Sequence, residues 1–243
     1  VYLTNLIELG AFGLFLKSLP QAFEDMAGVS FSTLATPLGR LAMAYVHPVV
    51  TLGALTWAVA RGSDVVSGEV GRGTMEMLLA QPVRRSAVML VPSAITVAGA
   101  AGLAGLCWLG QSIGIATVAL QGPVDPVRLA PGPLNLFGYM VFLAGVSTML
   151  SACDSQRWRT IGIVGAFYAV ELVAKLAAQL APALAWLSRF SFLSLYDPHV
   201  SIISAQRGWH AAMHDTAWLV ALGVLAYVVA VVVFSRRDLP API

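Results

Sequence analysis

Four long stretches without a charged residue limit what this chain can fold into. They cover residues 41–60, 86–124, 129–153 and 216–235. A helix rises 1.5 Å per residue, so about 20 apolar residues cross the roughly 30 Å of hydrocarbon in a bilayer. Each stretch is therefore predicted to be a membrane-spanning helix.

Two further windows are nearly as apolar. Residues 160–182 are interrupted only by Glu171 and Lys175, and residues 1–16 carry Glu8. Together with the four uncharged stretches, they predict six spans.

The composition agrees with an integral membrane protein, because 58% of the residues are hydrophobic and only 11% are charged. No alternating ten-residue pattern of a barrel strand is visible, and a span must satisfy its backbone internally. The sequence therefore predicts an all-α integral membrane protein, with residues 1–243 as one domain. The chain begins with Val1 rather than Met and its first window is short, so we expect N-terminal sequence to be missing.

The basic residues predict the orientation. One set lies in short loops near span ends, where positive residues favour the cytoplasm: Arg61, Arg72, Arg84, Arg85, Arg157, Arg159, Arg236 and Arg237. The smaller set on the other side comprises Lys17, Arg40, Arg128, Arg189 and Arg207. We therefore expect an inner-membrane protein with both termini and the loop 65–85 in the cytoplasm.

That loop is a short polar connection between two spans, and from Glu69 it reads EVGRGTMEMLLAQPVRR. Thr74 is placed to cap a short helix that ends before Pro82. The helix has one apolar face, formed by Met75, Leu78 and Leu79. So short a helix must pack on something, either a partner or the protein's own helix ends and the membrane interface.

Two other patterns concern contacts inside the membrane. Glu171 and Lys175 lie one helical turn apart and form a possible intramembrane pair, with either a structural or a pathway-lining role. Small residues four apart predict close helix packing, within one subunit or across a dimer: Ala98 with Gly102, Ala101 with Gly105, Gly162 with Ala166, and Gly165 with Ala169.

The loop resembles the motif of type-2 ATP-binding-cassette (ABC) transporter permeases. The matching residues are Glu69, Gly73, Thr74, Glu76, Leu78, Leu79, Pro82, Val83 and Arg85. Arg84 departs from the motif, because the family usually has Ser or Thr there. The ending Phe234 to Leu239 is also similar to the family's closing span and tail.

The resemblance implies that the loop is a coupling helix docked on a cytosolic ABC ATPase subunit. The residues expected to bind that partner are Glu69, Arg72, Gly73, Thr74, Met75, Glu76, Leu78, Leu79, Gln81 and Pro82. Within this set, the polar side chains of Glu69, Arg72 and Glu76 would contact the partner, and the apolar face would enter its groove. The resemblance also implies that the subunit assembles with a second permease copy or a homologue.

The chain is not expected to be an enzyme. A phosphate-binding loop needs Gly-Lys-Ser/Thr, and neither Lys17 nor Lys175 follows a glycine. ATP and Mg²⁺ would therefore bind the partner subunit, and no cofactor or metal is expected in this chain. No nucleic-acid-binding stripe is present.

The sequence thus predicts a transporter permease subunit in contact with membrane lipid and compatible with a periplasmic partner. A non-transporting scaffold that docks a cytosolic protein through the same loop is the alternative. A membrane-embedded enzyme is the weakest hypothesis, because the acidic and His residues are scattered. The substrate and the direction of transport do not follow from the sequence.

Overall fold

The computed structural model describes residues 30–34, 36–118, 120, 122–204 and 208–237, and in this part of the chain it has helices and no strand. The α-helices are α1 (Phe31–Leu34), α2 (Pro37–Met43), α3 (Pro48–Ser63), α4 (Glu69–Gly71), α5 (Met75–Leu79), α6 (Arg85–Thr117), α7 (Pro131–Cys153), α8 (Arg157–Leu180), α9 (Pro198–Ile203) and α10 (Gly208–Arg236). A π-helix, Asp64–Gly68, joins α3 to α4.

Five helical stretches are long and apolar enough to cross a membrane: Pro37–Gly71, Arg85–Thr117, Pro126–Cys153, Arg157–Leu180 and Gly208–Arg236. The all-helical architecture is therefore confirmed, and five of the six predicted windows are helices of sufficient length. The sixth window, residues 1–16 with Glu8, lies outside the described residues, so the count of six spans stays a prediction.

The spans differ in how much of their surface the protein covers. In the stretch that contains α7, 72% of the most apolar window is buried, whereas in α8 the value is 6%. Most residues of that window of α7 are therefore covered by the protein, whereas most residues of α8 are partly or fully exposed.

The chain divides into two compact units, and the long helices contribute residues to both. Unit 1 takes its described residues from Val1–Gly53, Gly102–Phe137 and Ala169–Trp218. Unit 2 takes them from Ala54–Ala101, Gly138–Tyr168 and Leu219–Ile243.

In unit 1 the first described span is broken between α2 and α3. Pro48 disfavours a helical conformation at the residue before it, and α3 starts at this proline. Side chains satisfy the carbonyls freed near the break. Gln111 Nε2 donates to Leu41 O at 3.1 Å, and Tyr196 Oη donates to Tyr45 O at 2.6 Å.

In unit 2 three glycines allow helix backbones to touch. A Cβ atom added to Gly223 of α10 would lie 2.8 Å from Val141 O of α7, and one added to Gly145 would lie 2.5 Å from Gly223 O. A Cβ atom on Gly62 of α3 would lie 2.6 Å from Ala144 O. Helices α3 and α10 therefore pack closely on α7.

The predicted small-residue pairs do not make such contacts within the subunit. A Cβ atom on any of their glycines would meet no other described atom within 4 Å; these are Gly102, Gly105, Gly162 and Gly165. Packing of these pairs inside one subunit is therefore not found among the described residues. Packing across a dimer stays a prediction.

Candidate functional site

The candidate site is built on the π-helix at the end of α3. A π-helix displaces backbone groups from the usual α-helical pairing, and such segments are frequent at functional sites. Here two amides turn to another helix: Val66 N and Ser67 N donate to Ser151 Oγ of α7, at 3.2 and 2.8 Å. Ser151 thus satisfies two displaced donors with one oxygen.

Ser151 belongs to a fully buried hydroxyl cluster formed by Ser63, Ser67, Ser151 and Thr160. Ser67 Oγ donates to Ser63 O at 2.7 Å and lies 3.0 Å from Ser151 Oγ. Thr160 Oγ1 of α8 lies 3.2 Å from Ser67 Oγ. Because buried hydroxyls are costly without partners, this cluster holds the π-helix to α7 and α8 in one arrangement.

An ion network lies directly after the cluster. Arg72 Nη1 lies 2.8 Å from Asp64 Oδ1, and Arg72 Nη2 lies 2.6 Å from Glu69 Oε1. Arg157 Nη1 of α8 lies 3.3 Å from the same Asp64 oxygen. The hydrogen bonds to Asp64 and then Glu69 raise the pKa of the Arg72 guanidinium above its ordinary value. The network keeps α4 folded against the π-helix.

Thr74 does not cap α5 as expected. Its ψ of −16° is helical, whereas a capping side chain needs an extended backbone, and no side-chain cap bond forms. Instead Thr74 Oγ1 donates to the Glu69 carboxylate and lies 3.2 Å from Glu69 O. Both carboxylate oxygens of Glu69 are therefore engaged within the chain, by Arg72 and Thr74, and a contact of Glu69 or Arg72 with a partner stays a prediction.

Helix α5 begins after Gly73, whose φ of +72° makes the sharp turn that a glycine allows. Met75 is 2% exposed and sits in the apolar core of unit 2 with Val66, Met89 and Phe234. Leu79 packs against the same core. Leu78 lines a pocket of about 220 Å³ together with Arg61, Asp64, Val65, Glu69, Val88 and Pro92.

The apolar face of α5 thus packs on the chain itself, which was the alternative interpretation. The expectation that Met75 enters a partner's groove is wrong, because the core of unit 2 already covers it. The residues that project outward form what we call the loop surface: Glu76, Met77, Ala80, Gln81, Pro82 and Val83. Met77 is 64% exposed and Val83 46%.

A second loop of unit 2, between α7 and α8, is held in place by the side chain of Asp154. Its carboxylate is 6% exposed, bonds to Arg159 Nε at 2.6 Å, and accepts two backbone amides at 2.7 and 3.0 Å. Burial acts to raise the pKa of Asp154, but the bonds from Arg159 and the amides outweigh it and hold the pKa below its ordinary value. Arg237 Nη1 donates to Ala152 O and Asp154 O, and Arg85 Nη1 donates to Arg237 O. The ends of α6, α7 and α10 are thereby linked.

In unit 1 the expected pair of Glu171 and Lys175 does not form, and this prediction is corrected. Lys175 Nζ lies 2.8 Å from Asp197 Oδ1 and donates to Leu193 O at 2.7 Å. No ion pair joins it to Glu171 in the described ranges, where Glu171 Oε2 is buried without a hydrogen bond. The long lysine side chain reaches carbonyls and a carboxylate about 20 residues away, which local spacing could not reveal.

Sequence reasoning missed Met77, Ser151 and Asp154. A signal for Met77 existed: two residues from Met75 on a helix, it must point away when Met75 points inward. Ser63 and Ser67 are four residues apart, as are Ser147 and Ser151, which indicates hydroxyls on one helix face in each case. Nothing local indicates which helix these hydroxyls meet.

The chain matches one known protein family over nearly its whole length. The family model described as "ABC-2 family transporter protein" matches residues 10–239, nearly the whole chain. No curated protein and no solved structure matches the chain significantly.

Proposed function

Because the chain belongs to the ABC-2 family of transporter proteins, we propose that it is the membrane-spanning permease subunit of an ABC transporter. It moves a substrate across the inner membrane with the energy of ATP that a separate subunit hydrolyses with Mg²⁺. That ATPase docks on the loop surface.

One observation carries the proposal: the loop has an inner side built into the protein and an outer side free for a partner. Met75 is buried while Met77 is 64% exposed two residues later. Force applied to the loop surface would pass through Met75 to the core of unit 2, where the π-helix, α6, α7 and α10 meet. A loop without such an anchor would move without moving the spans.

Two permease subunits, identical or homologous, would assemble to line a pathway. The exposed residues of α8 support this assembly, because the open glycines among them allow close approach of another helix. Membrane lipid covers the surface that the partners leave exposed.

Met77→Arg is expected to weaken ATPase binding. A central exposed apolar residue of a docking surface contributes about 2 kcal/mol, so the Kd should rise about 30-fold. Co-purification with the ATPase measures the binding, and ATP-dependent uptake or efflux in reconstituted vesicles measures the transport that depends on it.

Val127→Arg is the matched control, because Val127 is 55% exposed and lies outside the loop. Unchanged ATPase binding by the Met77 variant would reject the loop surface as the docking site. If the wild-type protein binds the ATPase normally but transports no substrate, the result would favour the alternative function as a non-transporting scaffold.

Cys153 offers a test of the orientation. It is exposed at the end of α7, in the unit that holds Arg72, Arg85 and Arg157. If these cations face the cytoplasm, a membrane-impermeant maleimide should label Cys107→Ser protein in inside-out vesicles and not in right-side-out ones. Protein with both cysteines replaced by serine gives the background. Labelling from the outside would reverse the topology and remove the loop from any cytosolic ATPase.

A further inference from the structure

A pocket of about 210 Å³ lies in unit 1 at the point where three of the candidate spans begin. Its lining includes the first or nearly the first residue of each span: Leu38 of Pro37–Gly71, Arg128 of Pro126–Cys153 and Gly208 of Gly208–Arg236. Trp209 also lines it and is 46% exposed, and tryptophan is enriched where a span meets the headgroups of a bilayer. The pocket therefore lies at a membrane surface.

The charge at the pocket favours an anion. Arg128 is part of the lining, and no acidic residue is. Within the described ranges, the Arg128 guanidinium has neither a hydrogen bond nor an ion pair. The long helices α7 and α10 also begin here, at Pro131 and Gly208, and the N-terminal end of a helix carries partial positive charge.

Two hydroxyls at the pocket are unpaired and still accessible. Ser201 and Ser204 line it, and neither side chain makes a hydrogen bond in the part of the chain that the structure describes. The hydroxyls of Ser191 and Thr216 are fully buried without a partner, whereas those of Ser201 and Ser204 keep accessible surface. Since Ser201 as a whole is only 7% exposed, its hydroxyl is open to the pocket that it lines.

The backbone that carries Arg128 is fixed. Arg128 belongs to a short 3-10 helix, Pro126–Leu129, in which Val127 N donates to Asp125 Oδ1 at 2.9 Å. Leu129 anchors this helix, because it is fully buried. The Arg128 side chain is exposed, so it can turn toward a ligand without disturbing the fold.

The rest of the lining favours a lipid over a small hydrated anion. Leu38, Ile202 and Ile203 provide apolar walls next to the polar groups. A phospholipid has the same arrangement, with a phosphate directly beside apolar chains. Because no carboxylate lines the pocket, nothing there would pair with the ammonium of a zwitterionic headgroup.

We propose that this pocket binds the headgroup of an anionic phospholipid. The phosphodiester pairs with the Arg128 guanidinium, whose planar fork matches phosphate oxygens. The hydroxyls of Ser201 and Ser204 donate to oxygens of the headgroup, and the acyl chains continue along Leu38 into the membrane. The site goes beyond the proposed function, because binding requires neither the ATPase nor transport.

The test measures binding of dioctanoylphosphatidylglycerol to purified full-length protein in detergent by native mass spectrometry. Dioctanoylphosphatidylcholine has the same phosphodiester and acyl chains, but its choline would remain unpaired. It should therefore bind about five-fold more weakly. Equal affinity for the two lipids would overturn the proposed selection of an anionic headgroup.

Arg128→Gln should lower the affinity for dioctanoylphosphatidylglycerol about ten-fold, the effect of one charged hydrogen bond. Ser201→Ala should lower it about five-fold and leave the thermal midpoint unchanged, because the lost hydroxyl has no partner among the described residues.

Arg189→Gln is the matched control for Arg128→Gln. Arg189 is also an exposed arginine of unit 1, and it does not line the pocket, so this variant should bind the lipid as the wild type does. Wild-type affinity in the Arg128 variant would overturn the site. An equal loss in the Arg189 variant would do the same, because it would show attraction to surface charge in general.

A further arm identifies the source of the phosphate. Inorganic phosphate offers the anion without acyl chains and is added in large excess over the lipid. Retention of the lipid would support a phospholipid occupant. Displacement of the lipid would overturn it and assign the pocket to a soluble phosphate compound.

Discussion

Gly223→Val should abolish most of the folded protein in the membrane. A Cβ atom at this position would lie 2.8 Å from Val141 O and 3.0 Å from Phe142 Cα, and both are backbone atoms of α7. Backbone cannot rotate away as a side chain can, so α10 and α7 would have to separate. Overpacking usually costs about 1–3 kcal/mol, and a backbone contact falls at or above the top of that range.

The measurement is the yield and thermal midpoint of detergent-solubilised protein by size-exclusion fluorescence. We expect the midpoint to fall by about 6–12 °C, since each kcal/mol shifts it by about 2–4 °C in a chain of this size and the cost is about 3 kcal/mol. Gly53→Val is the matched control, because a Cβ atom at this position of α3 meets no described atom within 4 Å. Equal midpoints for the two variants would show that α7 and α10 do not touch at Gly223.

Ser151→Ala should largely uncouple ATP hydrolysis from transport. It leaves the amides of Val66 and Ser67 buried without an acceptor, at about 1–3 kcal/mol each. The chain can relieve this by converting the π-helix to an α-helix. That change shifts the register by one residue and turns the segment after the π-helix by about 100°, so Arg72 would lose its alignment with Asp64.

We therefore expect at least a roughly ten-fold loss of ATP-dependent transport, given the size of that penalty. Protein should still accumulate in the membrane. Ser147→Ala is the control one turn earlier on α7: Ser147 is equally buried but donates to one carbonyl, Val59 O, so no amide loses its acceptor. If both alanine variants transport equally well, the π-helix has no part in coupling.

These two predictions show where sequence reasoning stopped. The small-residue spacing predicted helix contacts at glycines of α6 and α8 that have no neighbouring atom in the described structure. The glycines that do touch a neighbouring helix are Gly62, Gly145 and Gly223. A small residue suits a helix contact, a dimer contact or a lipid-facing surface equally well. Only the position of the neighbouring helix separates these cases.

The loop shows the same division within a few residues. Its short helix and the common face of Met75, Leu78 and Leu79 were predictable, because helical spacing is a local property. Whether that face meets a partner or the protein's own core was not. The structure buries Met75 and exposes Met77, which inverts the expected contact surface.

The sequence by itself determined the all-helical membrane class, the positions of five long apolar helices and the family motif in the loop between two of them. These follow from local composition, because a helical span needs about 20 mostly apolar residues and bonds its backbone groups within the protein. Tertiary structure alone decided the bond of Ser151 to the π-helix, the pairing of Lys175 with Asp197 and the burial of Met75 against Phe234 and its neighbours. Each depends on groups far apart in the chain, and only the packing of the helices brings such groups to within bonding distance.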